Sequence, residues 1–288
     1  MTKENKARLM VVLAMLIFGT IGVFVKFIPL SSPVIALSRS VIGTIFLLIT
    51  SVISKKKPSL SAMRKNLPVL LVLGTFLGAN WILLFEAYRY TTVAVATLCY
   101  YLAPVFVMLS SPFVLGEKLT GRKFAFSVVA LLGMVLVSGV VGAENTVSVT
   151  GMLFGVGAAV LYAAIVLLNK KLKDISANDT TIAQLGISAV VVGVYVAFTE
   201  DFSAVSLNGT ELLLLLVVGI VHTGIAYALY FGAFKTLKAQ TAAIFSYIDP
   251  VFAIILSALF LNEPMTLTAA LGAVLILGST LANELTDK

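Results

Sequence analysis

Two ionisable side chains stand inside long apolar segments of this sequence. Asp249 falls near the centre of the segment that continues to Leu261, and His222 falls near the centre of the segment before it. An ionisable group in apolar surroundings is costly unless it meets a partner, water or a ligand. A carboxylate there can bind an amino group or exchange a proton. The alternative is that both side chains only make hydrogen bonds between helices.

The surroundings of Asp249 favour a ligand site. At helical spacing Ser246 shares its face, and Pro250 removes one backbone donor and should bend the helix beside it. An earlier segment repeats this arrangement, with Tyr100 on the face and Pro104 at the bend. We therefore expect a cavity between these two helices.

Aromatic and amide side chains form a second group of candidates. Trp81 and Tyr227 each follow a glycine by three residues and should lie at mid-depth, with Asn80 beside Trp81. Such residues suit a planar or amphipathic ligand, although core packing would also explain them. The predicted ligand-binding residues are Asn80, Trp81, Tyr100, His222, Tyr227, Tyr247 and Asp249.

Four further charged residues, Lys26, Arg39, Glu86 and Arg89, lie near the ends of apolar segments. Glu86 precedes Arg89 by three residues, so a pair of Glu86 with Arg89 or Arg39 would lower the cost of burying either charge. We assign these residues a structural or gate-forming role, with direct ligand contact as the alternative.

The composition identifies the environment of these residues. The 288-residue chain is 60% hydrophobic and 11% charged, far more apolar than a soluble domain of this size could bury, so a lipid bilayer must cover it. The basic residues behind the net charge of +7 lie between apolar segments, which indicates topology rather than a nucleic-acid partner. One cysteine, Cys99, and one histidine leave no metal or cofactor motif, and we expect no enzyme.

The apolar segments predict an all-α integral membrane protein with ten transmembrane helices of roughly 20 residues each. They lie near residues 9–28, 34–54, 68–88, 92–115, 122–142, 150–169, 181–199, 211–234, 239–261 and 266–284. Alternate connections collect Lys and Arg, including Lys55 to Lys57 and Lys170 to Lys173. Because such loops resist translocation, we place both termini in the cytoplasm of a bacterial-type inner membrane.

The two halves of the chain resemble each other at an offset of 146 residues. Gly78, Tyr101 and Glu117 meet Gly224, Tyr247 and Glu263, and the triplet Pro-Val-Phe recurs at 104–106 and 250–252. This predicts two repeats, 1–145 and 146–288. Five helices is an odd number, so the second repeat must be inverted in the membrane. Glu117 and Glu263 stand at junctions between helix and loop, where we expect either solvated turns or capping contacts.

The segments from Ala87 to Ala94, from Leu102 to Phe106 and from Leu115 to Thr120 resemble the drug/metabolite transporter superfamily, in its ten-helix EamA branch. The resemblance spans nearly the whole chain and implies two EamA repeats that carry small metabolites such as amino acids. The second half departs from the pattern, because Leu185 stands at the register of Arg39 and Asn262-Glu263-Pro264 replaces Gly-Glu-Lys. The two halves should therefore differ in chemistry.

Inverted repeats with polar groups at mid-depth are typical of secondary transporters. We expect a carrier, and more specifically an exporter, that moves a small organic solute by alternating access, with a proton as a candidate coupling ion. A channel would need a continuous polar stripe along several helices. A channel-like facilitator, a membrane enzyme and a scaffold remain the alternatives.

Overall fold

A computed structural model describes residues 2–55, 57–91, 93–137, 148–201, 207–260 and 266–286. Within these ranges the chain is helical and contains no β-strand. Seven helical segments in them are long and apolar enough to cross a membrane, which confirms an all-α protein with several membrane spans. The predicted repeat boundary at 145 and Glu263 lie outside the described residues.

The helices follow one another in this order: α1 Lys3–Lys26, α2 Ser32–Ile53, α3 Leu60–Lys65, α4 Leu67–Tyr90, α5 Val93–Tyr100, α6 Ala103–Leu115, α7 Gly121–Val137, α8 Val149–Asn169, α9 Ala177–Thr199, α10 Gly209–Gly219, α11 Ala226–Ala233, α12 Ala239–Phe245, α13 Ile248–Phe260 and α14 Leu267–Thr286. A π-helical turn, Ile220–Ile225, joins α10 to α11. The short helix α3 was not expected from the sequence.

Polar side chains fix where several helices begin. Thr2, Ser148 and Ser176 each accept a hydrogen bond from the backbone amide three residues ahead, at the start of α1, α8 and α9. Asn208 and Glu211 form a reciprocal capping box at the start of α10. These contacts satisfy amides that have no partner within the first helical turn.

Two apolar segments are broken at equivalent positions. α5 ends at Tyr100 and α6 begins at Ala103, and within one residue of the 146-residue offset α12 ends at Phe245 and α13 begins at Ile248. The prolines of the repeated triplet, Pro104 and Pro250, stand in the first turn of α6 and α13, where a missing N–H costs least. Each break therefore divides one apolar segment into two shorter helices, and the amides of Tyr101 and Tyr247 within the breaks still donate to carbonyls of the preceding turn.

The helices pack in pairs that match between the halves. Helix α1 contacts α13, and its counterpart in the second half, α8, contacts α5 and α6. In the same way α9 contacts α4, and its counterpart in the first half, α2, contacts α10 and the π-turn. Glycines permit two of these contacts, since a Cβ on Gly78 would lie 3.0 Å from Val191 and one on Gly224 would lie 2.8 Å from Phe46. Large side chains such as Phe113 and Phe198 face outward, as a lipid-covered surface requires.

Candidate functional site

A cavity of about 160 Å³ lies where the two broken helices meet α1, α2, α4, α8 and α11. It is smaller than the ~300 Å³ at which pockets for drug-sized ligands begin, so it suits a small solute. Both breaks contribute a residue, Tyr101 and Ser246. The other lining residues are Met15, Phe18, Ile21, Arg39, Trp81, Leu84, Phe85, Tyr100, Ala103, Pro104, Tyr162, Tyr227 and Asp249.

Asp249 supplies the negative charge of this cavity. It stands in the first turn of α13, and the Tyr101 hydroxyl donates to its Oδ2 at 3.1 Å across the two breaks. Amides at the start of a helix favour a carboxylate. Because Pro250 has no N–H, it cannot donate to the Ser246 carbonyl as another residue at this helical position would. This end of the cavity can accept hydrogen bonds from an ammonium group.

Arg39 supplies the positive charge. Its Nε donates to Thr223 Oγ1 at 2.9 Å, and its Cζ lies 4.8 Å from the centre of the Trp81 ring. The Thr223 hydroxyl donates in turn to the Val218 carbonyl, five residues back, a spacing that the π-turn provides. Among the described residues Thr223 is the one hydrogen-bond partner of this guanidinium, which leaves its terminal N–H groups for a ligand. Arg39 and Asp249 form no ion pair in the described part of the chain.

Aromatic rings form the walls between these charges. The rings of Trp81 and Tyr227 meet edge to face with centroids 6.2 Å apart, and Phe18 packs against Tyr227 at 5.0 Å. On another wall the Tyr162 hydroxyl donates to that of Tyr230 at 2.6 Å. An amphipathic solute would meet apolar ring faces at its middle and polar groups at its ends.

Four of the seven predicted ligand-binding residues line the cavity together: Trp81, Tyr100, Tyr227 and Asp249. The other three do not. Asn80 is buried and donates to the Ala158 carbonyl at 2.7 Å, which ties α4 to α8. Tyr247 is buried in a cluster with Met134 and donates to the Tyr101 carbonyl at 3.2 Å.

His222 also lies outside the cavity, and its described contacts do not include Asp249. Its Nε2 lies 2.6 Å from Thr20 Oγ1, its Nδ1 lies 3.4 Å from the Val217 carbonyl, and its ring packs on Phe24. The π-turn rotates His222 towards α1, so in this structure it joins two helices.

The predicted gate charges lie in three different places. Glu86 pairs with Arg89 at 3.0 Å and accepts a further hydrogen bond from Tyr195, near the ends of α4 and α9. The hydrogen bond with Glu86 raises the pKa of Arg89 above its ordinary value. Lys26 is exposed in the last turn of α1. Arg39 lies deeper, in the cavity wall.

Sequence reasoning missed two polar members of the site. Tyr101 was noted only as the counterpart of Tyr247, and Thr223 was not considered. The repeat contained a signal for Tyr162, because near the start of each half an offset of 144 residues pairs it with Phe18, and both residues line the cavity.

The comparison with known proteins now gives this cavity its context. The model of the EamA-like transporter family matches residues 5–139 and again residues 149–283. The chain belongs to the EamA-like transporter family. Its two matches cover each half of the chain once, in agreement with the equivalent breaks of α5/α6 and α12/α13.

Relatives of this EamA-like transporter share its length. An uncharacterized transporter of Bacillus subtilis, YxxF, is 30% identical over 95% of this chain and 88% of its own. A probable amino-acid metabolite efflux pump of Escherichia coli is 27% identical over 74% of this chain and 76% of its own. A solved crystal structure at 21% identity superposes with a TM-score of 0.87, over 99% of this chain and all of the other, and so shares the EamA-like fold.

Proposed function

We propose that this protein is a secondary carrier that exports a small zwitterionic metabolite, such as an amino acid, across a bacterial inner membrane. One observation carries the proposal, namely that a single cavity holds the carboxylate of Asp249 and the guanidinium of Arg39, not paired with each other, between aromatic walls. An ammonium group suits the first and a carboxylate the second. The Escherichia coli relative, a probable amino-acid metabolite efflux pump, supports the same solute class.

Alternating access across ten spans and two inverted repeats is part of this proposal. The equivalent helix breaks, the matched helix contacts and the two family matches support it. In such folds a central site is exposed first to one side and then to the other by rocking of the repeats. We assign 1–145 and 146–288 to the two repeats and both termini to the cytoplasm.

Counterflow in proteoliposomes tests the function. Purified protein is reconstituted with an internal amino acid, and uptake of the same labelled amino acid is followed over a panel of side chains. We expect exchange for a subset of the panel, and the same solutes should raise the Tm of the protein, because a ligand that binds only the folded state stabilises it.

Matched analogues test the zwitterion. The amine analogue, which lacks the carboxylate, loses its contact with Arg39, and the acid analogue, which lacks the amino group, loses its contact with Asp249. Each analogue should therefore bind more weakly than the parent solute. Equal stabilisation by the amine and the amino acid would contradict the proposed role of Arg39. Uptake without counterflow would favour a channel over a carrier.

A further inference from the structure

The turn between α11 and α12 is held on one side by a carboxylate from another part of the chain. Glu117, in the connection after α6, accepts hydrogen bonds from the backbone amides of Ala239 at 2.8 Å and Gln240 at 3.3 Å. These are the first amides of α12, which have no partner within the helix. The capping contact expected at Glu117 is therefore confirmed, and it joins α12 to the end of α6.

A lysine holds the other side of the same turn. Lys170, at the end of α8, donates to the carbonyls of Phe234 and Leu237, each at 2.6 Å. Partial burial lowers the pKa of the Lys170 ammonium group, and the charge of Glu117 acts in the opposite direction. Two opposite charges from α6 and α8 thus meet the backbone at the ends of one short turn.

A second layer of polar contacts lies between this turn and the cavity. The Gln240 side chain donates to Ser111 at 2.6 Å and joins α12 to α6, and the Tyr162 hydroxyl bond to Tyr230 joins α8 to α11. Gln240, Ser111 and Tyr230 are fully buried. The described contacts therefore close this end of the molecule in two layers.

Among the described residues, this hydroxyl pair has no counterpart in the other repeat. The repeat counterparts of Tyr162 and Tyr230 are Phe18 and Leu84, which line the cavity but carry no polar group. Phe85 lines both the cavity and a surface pocket beside Glu86. The hydroxyl pair beside the cavity therefore lies at the end that the proposed topology places in the cytoplasm, whereas the contacts of Glu86 with Arg89 and Tyr195 lie at the other end.

We propose that Glu117 and Lys170 form a latch on the turn between α11 and α12, and that this latch must release before the cavity opens to the cytoplasm. The inference rests on the proposed carrier function. A purely structural cap would stabilise the fold without changing how often this end opens.

Cysteine accessibility tests the latch. In a background where Cys99→Ala removes the one native thiol, Ala243→Cys places a reporter four residues after Ala239 and three before Ser246. Ala243 is 1% exposed in the closed structure. A membrane-impermeant maleimide is applied to the cytoplasmic face of inside-out vesicles that contain the full chain. We expect Glu117→Gln and Lys170→Met each to speed labelling about tenfold, a shift of about 1.4 kcal/mol in the opening equilibrium.

The chain offers matched controls. Glu211→Gln removes a comparable carboxylate cap from α10, and Lys171→Met removes the exposed neighbour of Lys170. Both should label at the parental rate. Parental labelling rates in folded Glu117→Gln and Lys170→Met proteins would overturn the latch, and Glu117→Asp serves if the glutamine variant does not fold.

Cysteine labelling can be measured without a solute, so the latch and the carrier function are tested by independent measurements. Unchanged labelling in a protein that still exchanges a solute would overturn the latch alone. Faster labelling in a protein that exchanges no solute of the panel would leave the latch in place and overturn the carrier.

Discussion

At the scale of single residues, the site depends on two charges that other side chains hold in place. Tyr101 reaches Asp249 from the opposite break, and Thr223 orients Arg39 over Trp81. A charged group in membrane surroundings is retained only where it is hydrogen-bonded or serves a ligand. The cavity satisfies each charge in part and leaves the remainder for a solute.

The substitution Asp249→Asn removes the negative charge of this side chain but keeps its size and shape. We expect the amide to keep its contact with Tyr101 while solute binding weakens by about tenfold to a hundredfold, because a hydrogen bond to a charged group contributes roughly 1.5–3 kcal/mol. The Kd follows from thermal stabilisation or equilibrium binding. If Asp249 also exchanges a proton, the variant should lose pH-driven transport and keep exchange at equal concentrations. Full activity at every pH would reduce Asp249 to a structural residue.

At the scale of elements, the contact between α1 and α13 places the site. A Cβ on Gly19 would lie 2.8 Å from the Asp249 carbonyl oxygen and 3.0 Å from the Cβ of Phe252. Neither atom is the end of a flexible side chain, so α1 would have to move away from α13. Gly19 therefore sets how closely α1 approaches the carboxylate.

Gly19→Ala should lower both the Tm of the solubilised protein and its transport rate. Gly22→Ala is the matched control on the same helix, because a Cβ there meets nothing within 4 Å. Alanine is favoured over glycine in a helix by roughly 0.5–1 kcal/mol, so Gly22→Ala should be neutral or slightly stabilising. Equal melting temperatures for the two variants would mean that α1 and α13 are not in close contact.

Sequence reasoning found most elements because each leaves a local signal. Apolar length predicted the long helices, and Pro104 and Pro250 marked the two breaks. The orientation of His222 could not be predicted, since a π-turn adds a residue to the helical repeat and changes which face the following side chains occupy. The hydrogen-bond partner of Arg39 could not be predicted for the same reason, because Thr223 lies on this irregular turn.

At the scale of the whole molecule, the sequence predicted how the halves are related but gave no contacts between them. The cavity is built where Tyr101 of one half meets Asp249 of the other, a pairing that no helical period encodes. The matched contacts of α1 with α13 and of α8 with α6 relate the halves in space. In the proposed carrier, two near-equivalent bundles would allow two states of similar energy, and the sequence differences between the bundles would decide which state is favoured.

Reporter insertions test the proposed topology. A reporter after Lys57 should be cytoplasmic and one at Asn208 should be external, because the basic connections remain inside. Protease access and cysteine labelling in oriented vesicles measure both. The reverse pair of results would contradict the assignment of the inverted repeats.

Trp81 has a consequence for spectroscopy. It is the one tryptophan in the chain, and its ring lies in the cavity wall beneath Arg39 and beside Tyr227. Indole emission depends on nearby charge and water, so the native fluorescence of this protein originates at the proposed binding site. Binding of a solute, displacement of Arg39 or entry of water should each change that emission without any attached label.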